Sequence, residues 1–176
     1  MKKVCFLSVM VFLLCASAYA MGGYSNSTQN LQEFKTRFNT VRNDSSVPDS
    51  CRGTYAGSSY TLRVYKSRLA EIQADGTIPD MDWGHYAGSR HTLQIFKSRY
   101  REARFAGGIP DMYWGNYAGS MNALPVFRNK LAEIQRDGTI KDIYWGSYAG
   151  STHTLQRYKA RFNEVESDGS IPEFFL

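Results

Sequence analysis

Carboxylates, cations and tryptophans recur through this 176-residue chain at spacings that could carry chemistry. The stretch "EIQADGTIPDMD" from Glu71 places Asp75, Gly76, Ile78 and Asp82 where a calcium-binding helix–loop–helix has its fifth, sixth, eighth and twelfth loop positions. The first position is Glu rather than Asp, and the twelfth becomes Tyr113, Tyr144 or Phe175 in the later copies of the stretch. Without the closing bidentate acid, calcium binding is the weakest of the functions considered, and no cofactor or metal is expected.

A pair of cations recurs as Lys35/Arg37, Lys66/Arg68, Lys97/Arg99, Arg128/Lys130 and Lys159/Arg161. Residues two apart on a helix diverge by roughly 160–200°, so the pairs form two rows rather than one ridge. A carboxylate follows the second row three residues on, at Glu71, Glu102, Glu133 and Glu164, which suggests surface pairing. Arg90, Lys97, Arg99, Arg101 and Arg104 crowd one segment and are the candidate contacts for an anionic polymer.

Catalysis finds no constellation. His85, His91 and His153 lie apart from any nucleophile, His91 and His153 share a position beside a helix cap, and no phosphate loop is present. An enzyme is not expected. Cys51 is the one cysteine beyond residue 20, and it could pair two chains. Asn26 and Asn43 head Asn-x-Ser/Thr triplets and are candidate glycosylation sites.

These residues are positioned by a repeat. "DMDWGHYAGS", "DMYWGNYAGS" and "DIYWGSYAGS" follow one another at 31-residue intervals. Tyr24, Tyr55, Tyr86, Tyr117 and Tyr148 head five units, 24–54, 55–85, 86–116, 117–147 and 148–176, with no gap. Leu31, Phe34, Phe38 and Val41, and their counterparts in each unit, are spaced 3, 4 and 3 apart and mark one apolar stripe of a helix of about 13 residues. Asn30, Thr61, Thr92 and Thr154 are its N-caps, and Pro125 is tolerated if the fourth such helix starts near Asn122. Gly76, Gly107, Gly138 and Gly169 end it. "TIPD", "TIKD" and "SIPE" then suggest a capping box opening a second helix of a turn or two, through Trp83 and its counterparts.

A unit of this kind cannot bury its own stripe and stacks on its neighbours. The expected fold is all-α, a short α-solenoid of five helix–turn–short-helix repeats. The Ala-Gly pairs should let backbones pass closely, and Trp83, Trp114 and Trp145 should fill the seams between units. The other reading of the tryptophans is a row of platforms for sugar rings. Arg52 at the Trp position of unit one, and the ending of unit five at Leu176, read as the drift of terminal units that lack a neighbour.

Residues 1–20 read as a secretory signal peptide, with Lys2 and Lys3, an apolar run from Val4 to Leu14, and Ala18-x-Ala20 before the cleavage point. Residues 21–176 then form a single repeat domain. It keeps 19 of the 21 basic residues against 16 acidic ones, too mild an excess to imply nucleic acid. No later segment is suited to a membrane. The expected function is that of a secreted repeat protein, extracellular or periplasmic if bacterial. It would present an extended surface to a macromolecular partner, protein or glycan. A self-associating extracellular matrix protein is the alternative.

Overall fold

A computed structural model describes residues 23–176; the signal-peptide segment lies outside them. The secondary structure of those residues is all helical, in helix–turn–short-helix units of about 31 residues. The long helices are α1 (Leu31–Arg42), α3 (Leu62–Asp75), α5 (Leu93–Ala106), α7 (Leu124–Asp137) and α9 (Leu155–Asp168). The short ones are α2 (Arg52–Gly57), α4 (Trp83–Gly88), α6 (Trp114–Gly119) and α8 (Trp145–Gly150), each entered through a three-residue 3₁₀ turn such as Asp80–Asp82. None of these helices is long and apolar enough to cross a membrane.

The local signals explain most of the boundaries. Asn30, Thr61, Thr92 and Thr154 each accept a hydrogen bond from the backbone N–H three residues on. α7 lacks such a cap: it starts after Ala123, slightly beyond Asn122, with Pro125 in its first turn. Gly76, Gly138 and Gly169 take left-handed backbone at the helix end, whereas α1 has no glycine there and stops early at Arg42.

The capping box is not formed. The hydroxyls of Thr77, Thr139 and Ser170 turn back to Asp75, Asp137 and Asp168 at the end of the preceding long helix. The 3₁₀ turns carry no side-chain cap. Two-residue Asp–Thr/Ser contacts are local and compete successfully with the forward bond.

α1, α3, α5 and α7 each pack on the short helix that follows, and the short helices pack on one another in succession. The long helices thus surround an inner layer of short ones. Each long helix also meets the short helix before it, or Tyr24 in unit one, through an edge-to-face aromatic pair: Tyr24–Phe34, Tyr55–Tyr65, Tyr86–Phe96, Tyr117–Phe127 and Tyr148–Tyr158, with ring centres 5.3–5.6 Å apart. Burial of each such ring contributes about 1.5–3 kcal/mol, and the edge-to-face contact adds about 0.5–1.5 kcal/mol.

The solenoid closes on itself. Residues 23–27 occupy the place of the short helix that would follow Phe175, and the last seam repeats the interior ones. Arg161 donates to the carbonyls of Tyr24 (2.9 Å) and Gln29 (2.7 Å), as Arg68 does to those of Tyr86 (2.9 Å) and His91 (2.6 Å). Lys35 pairs with Asp168 at 3.0 Å, as Lys159 does with Asp137 at 2.9 Å. Tyr24 donates to Glu164 at 2.6 Å, as Tyr117 does to Glu102 at 2.5 Å. The rings of Phe38 and Phe175 meet at 4.9 Å, as those of Phe162 and Tyr144 do at 5.0 Å. The first and fifth units therefore each have two neighbours. Leu176 at the fifth Trp position is buried in the closing core, and Arg52 at the first is paired with Asp49 at 2.7 Å.

Candidate functional site

Most of the residues that could do chemistry are occupied in holding the ring. The second cation row does not pair with the carboxylates three residues on. Arg37, Arg68, Arg99, Lys130 and Arg161 instead lie over the rings of Tyr55, Tyr86, Tyr117, Tyr148 and Tyr24 at 3.9–4.5 Å. They donate to carbonyls at or just beyond the C-terminal end of the adjoining short helix. A cation at a helix C-terminus satisfies carbonyls that the helix leaves open and meets the negative end of its dipole. The freed carboxylates Glu71, Glu102, Glu133 and Glu164 accept from Tyr86, Tyr117, Tyr148 and Tyr24.

The first cation row ties each long helix to the end of the preceding one or the turn just after it, as Lys66–Asp44 (3.0 Å), Lys97–Asp75 (2.6 Å), Lys159–Asp137 (2.9 Å) and Lys35–Asp168 (3.0 Å). The remaining seam has Ala106 where the others have Asp, and there the partner is Arg128, which donates to the Ala106 (2.8 Å) and Gly107 carbonyls. Gly108 also replaces the hydroxyl residue there, and a Cβ on it would come within 3.2 Å of Arg128 Nε.

A further seam position was not read from the sequence. Gln29, Tyr60, His91, Asn122 and His153 stand at one repeat position, and each bonds to the Ser carbonyl that opens the next turn: Ser58 (2.8 Å), Ser89 (3.0 Å), Ser120 (2.8 Å), Ser151 (3.1 Å) and Ser27 (2.8 Å). For His91 and His153 this places the proton on Nε2, since the carbonyl can only accept.

Other sequence candidates resolve as follows. Trp83 packs against the core clusters on both sides of its seam, Trp145 does likewise, and Trp114 meets Tyr100 edge-on at 5.8 Å. The indole N–H groups donate to the Ile78, Ile109 and Ile140 carbonyls at 2.8–3.1 Å. Each tryptophan is half-buried, with core neighbours and an occupied donor, so it serves the seam. Of the five clustered cations, Lys97 and Arg99 are engaged in the seams, while Arg90, Arg101 and Arg104 are exposed.

Glu71, Asp75 and Asp82 turn to three separate partners, Tyr86, Lys97 and Tyr100. No group of three or more His, Cys, Asp or Glu among the described residues could hold a metal ion. Cys51 is fully buried and its thiol is pushed up to about 11 by desolvation, so the folded ring does not offer it to a second chain. Asn43 is exposed, whereas Asn26 lines the interior of the ring.

Two features are left unexplained by ring assembly. The first is a cavity of about 150 Å³ lined by the short helices of successive units, including Thr54, His85, Asn116 and Ser147, with Gly57, Gly88, Gly119 and Gly150 beside them. Glycine is needed there because the short helices nearly touch. A Cβ on Gly119 would lie 2.8 Å from the His85 carbonyl oxygen, and one on Gly88 3.2 Å from that of Thr54.

The second is an apolar patch on the perimeter. Val64, Ile95 and Val126 share one repeat position near the start of three consecutive long helices, and they are 38%, 48% and 46% exposed. Met121, three residues before α7, is 63% exposed as well. Arg63 and Arg90 are exposed at the same end of the long helices.

No known protein family matches this chain, and no curated protein or solved structure is significantly similar to it.

Proposed function

We propose that this is a secreted, non-enzymatic repeat protein that holds a macromolecular partner, a protein, against the perimeter of units two to four. Secretion is argued from the composition of residues 1–20 alone. Binding is argued from one observation: the apolar residues exposed at a shared repeat position are confined to three adjacent units. The ring asks the same packing of every unit, yet Glu33 and Arg157 stand where Val64, Ile95 and Val126 stand. A demand from outside the ring accounts for that inequality, and grouped exposed apolar side chains mark interaction surfaces. Arg63 and Arg90 beside the patch give the partner its chemistry, an apolar ridge edged by carboxylates.

The repeat supplies its own test substitutions. Ile95→Arg copies Arg157 and Val126→Glu copies Glu33, so both side chains are already accommodated by the fold. A partner captured by cross-linking from the secretion medium, purified and titrated against the ring, should bind each variant at least tenfold more weakly. Asn163→Arg, exposed on α9 in unit five and so outside the patch, should bind as the parent does. Equal affinity of parent, Ile95→Arg and Val126→Glu would overturn the assignment. So would capture of a sulfated glycan whose binding depends on Arg101 and Arg104 instead. Concentration-dependent growth of the purified ring, abolished by Ile95→Arg, would replace the foreign partner with a second copy, as in a matrix protein.

A further inference from the structure

The stretch that repeats most faithfully varies at a position that faces inward. Between the shared Gly and the shared Tyr-Ala-Gly-Ser, successive units carry Thr54, His85, Asn116 and Ser147. All four are polar, all differ, and all line the central cavity. Packing alone would be served by the same small residue in every unit, as it is at the neighbouring Gly57, Gly88, Gly119 and Gly150.

The hydrogen-bonding capacity of two of them is not consumed among the described residues. Thr54 is bonded, to the Cys51 carbonyl at 2.8 Å and to the Tyr65 hydroxyl. Asn116 is only 8% exposed and Ser147 only 3%, yet neither the carboxamide of the one nor the hydroxyl of the other has a hydrogen-bond partner among the described residues. The polar atoms of both side chains open on the cavity and are free to bond a molecule that enters it.

The lining also limits what that occupant is. It contains no Asp, Glu, Lys or Arg, and desolvation pushes His85 down to about 4, so the imidazole is neutral at physiological pH. An ion would find no counter-charge, and burying it so would be costly. An apolar molecule would leave the Asn116 amide and Ser147 hydroxyl stranded. The volume, on the order of ten water molecules, suits a small molecule. We propose that the axis of the ring is a binding site for one small neutral molecule bearing several hydroxyl groups, no larger than a monosaccharide, held by Asn116, Ser147 and His85.

The test is titration of the protein with glycerol, D-ribose and D-glucose, following heat and the side-chain amide resonances of Asn116. At least one of these probes should shift those resonances saturably. Asn116→Thr and Ser147→Thr, which place the Thr54 side chain in other units, should each weaken that binding at least tenfold while the free proteins melt within a few degrees of the parent. The absence of any saturable shift with all three probes would overturn the proposal. Binding that both variants retain in full, or saturation by sulfate in place of the neutral probes, would also overturn it. None of these outcomes depends on the perimeter patch.

Discussion

The backbone N–H of Tyr24 donates to the carbonyl of Phe175 at 3.3 Å. In the register of the repeat Tyr24 stands four residues after Phe175, as Tyr148 stands four after Tyr144. The contact is therefore the i→i−4 bond of a short helix, made between opposite ends of the described chain. Closure of this kind removes the exposed end faces that an open solenoid must cap. It also removes the open concave groove that such arrays use for binding, which is why the perimeter and the axis are the surfaces left for function.

Closure has a cost at one residue. Ser25 stands where the other units have Ala56, Ala87, Ala118 and Ala149; it is 0% exposed and its hydroxyl has no partner among the described residues. Ser25→Ala should stabilise the protein by about 1 kcal/mol, since the desolvation of an unpaired hydroxyl is removed and the alanine site is proven four times over. Urea unfolding checks this; a loss of stability would mean that Ser25 has a partner in solution.

Asp82 gives the ring a pH dependence. It replaces the tyrosine found at Tyr113 and Tyr144, is 4% exposed, and accepts from the Tyr100 hydroxyl at 2.9 Å. Desolvation outweighs that bond and raises its pKa from 3.8 to about 7. The folded state thus keeps a proton that the unfolded chain has released. Its contribution is largest below about 4 and is lost as pH rises to about 7, by up to about 1.4 kcal/mol per pH unit. Asp44, Asp75, Asp137 and Asp168 are shifted the other way, chiefly by hydrogen bonds, so the readout is the difference between proteins. Asp82→Asn should be more stable than the parent at pH 7, with the gain shrinking as pH falls to 4. A pH-independent difference would contradict the assignment.

Arg99 and Arg101 separate assembly from surface charge. Arg99 bonds to the Tyr117 and Asn122 carbonyls and lies 4.2 Å from the Tyr117 ring centre, while Arg101 is exposed. Arg99→Gln should cost about 2–3 kcal/mol. Arg99→Lys should cost much less, because Lys130 fills the same role in the next unit, and Arg101→Gln under about 0.5 kcal/mol. Equal unfolding midpoints for Arg99→Gln and Arg101→Gln would contradict the seam role.

The long helices, the caps at Asn30, Thr61, Thr92 and Thr154 and the stops at Gly76, Gly138 and Gly169 were legible because each depends on residues within one turn; Gly107 has positive φ but extended ψ and does not form that cap. The unit itself was legible from an unbroken period. Closure was not, because a register of 31 reads the same in an open array and in a ring; the sign was that Leu176 falls on a Trp position and Tyr24 supplies the tyrosine due next. The second cation row was misread because sequence neighbours were taken for partners, whereas Arg68 reaches carbonyls 18 and 23 residues on. Gln29, Tyr60, His91, Asn122 and His153 share only an N–H or O–H donor at the right height, which no residue-type pattern reveals. The axial and perimeter positions were hidden for a related reason: their meaning lies in differences between units, and only the geometry says which differences face the same space.

The most direct test of closure compares four equivalent ion pairs by zero-length carbodiimide cross-linking at high dilution, read by mass spectrometry. Lys66–Asp44, Lys97–Asp75 and Lys159–Asp137 are interior controls, and Lys35–Asp168 is the closing pair. A closed ring predicts an intramolecular Lys35–Asp168 amide forming alongside the other three, in monomeric protein. Interior cross-links in good yield with none between Lys35 and Asp168 would show an open array and contradict the account.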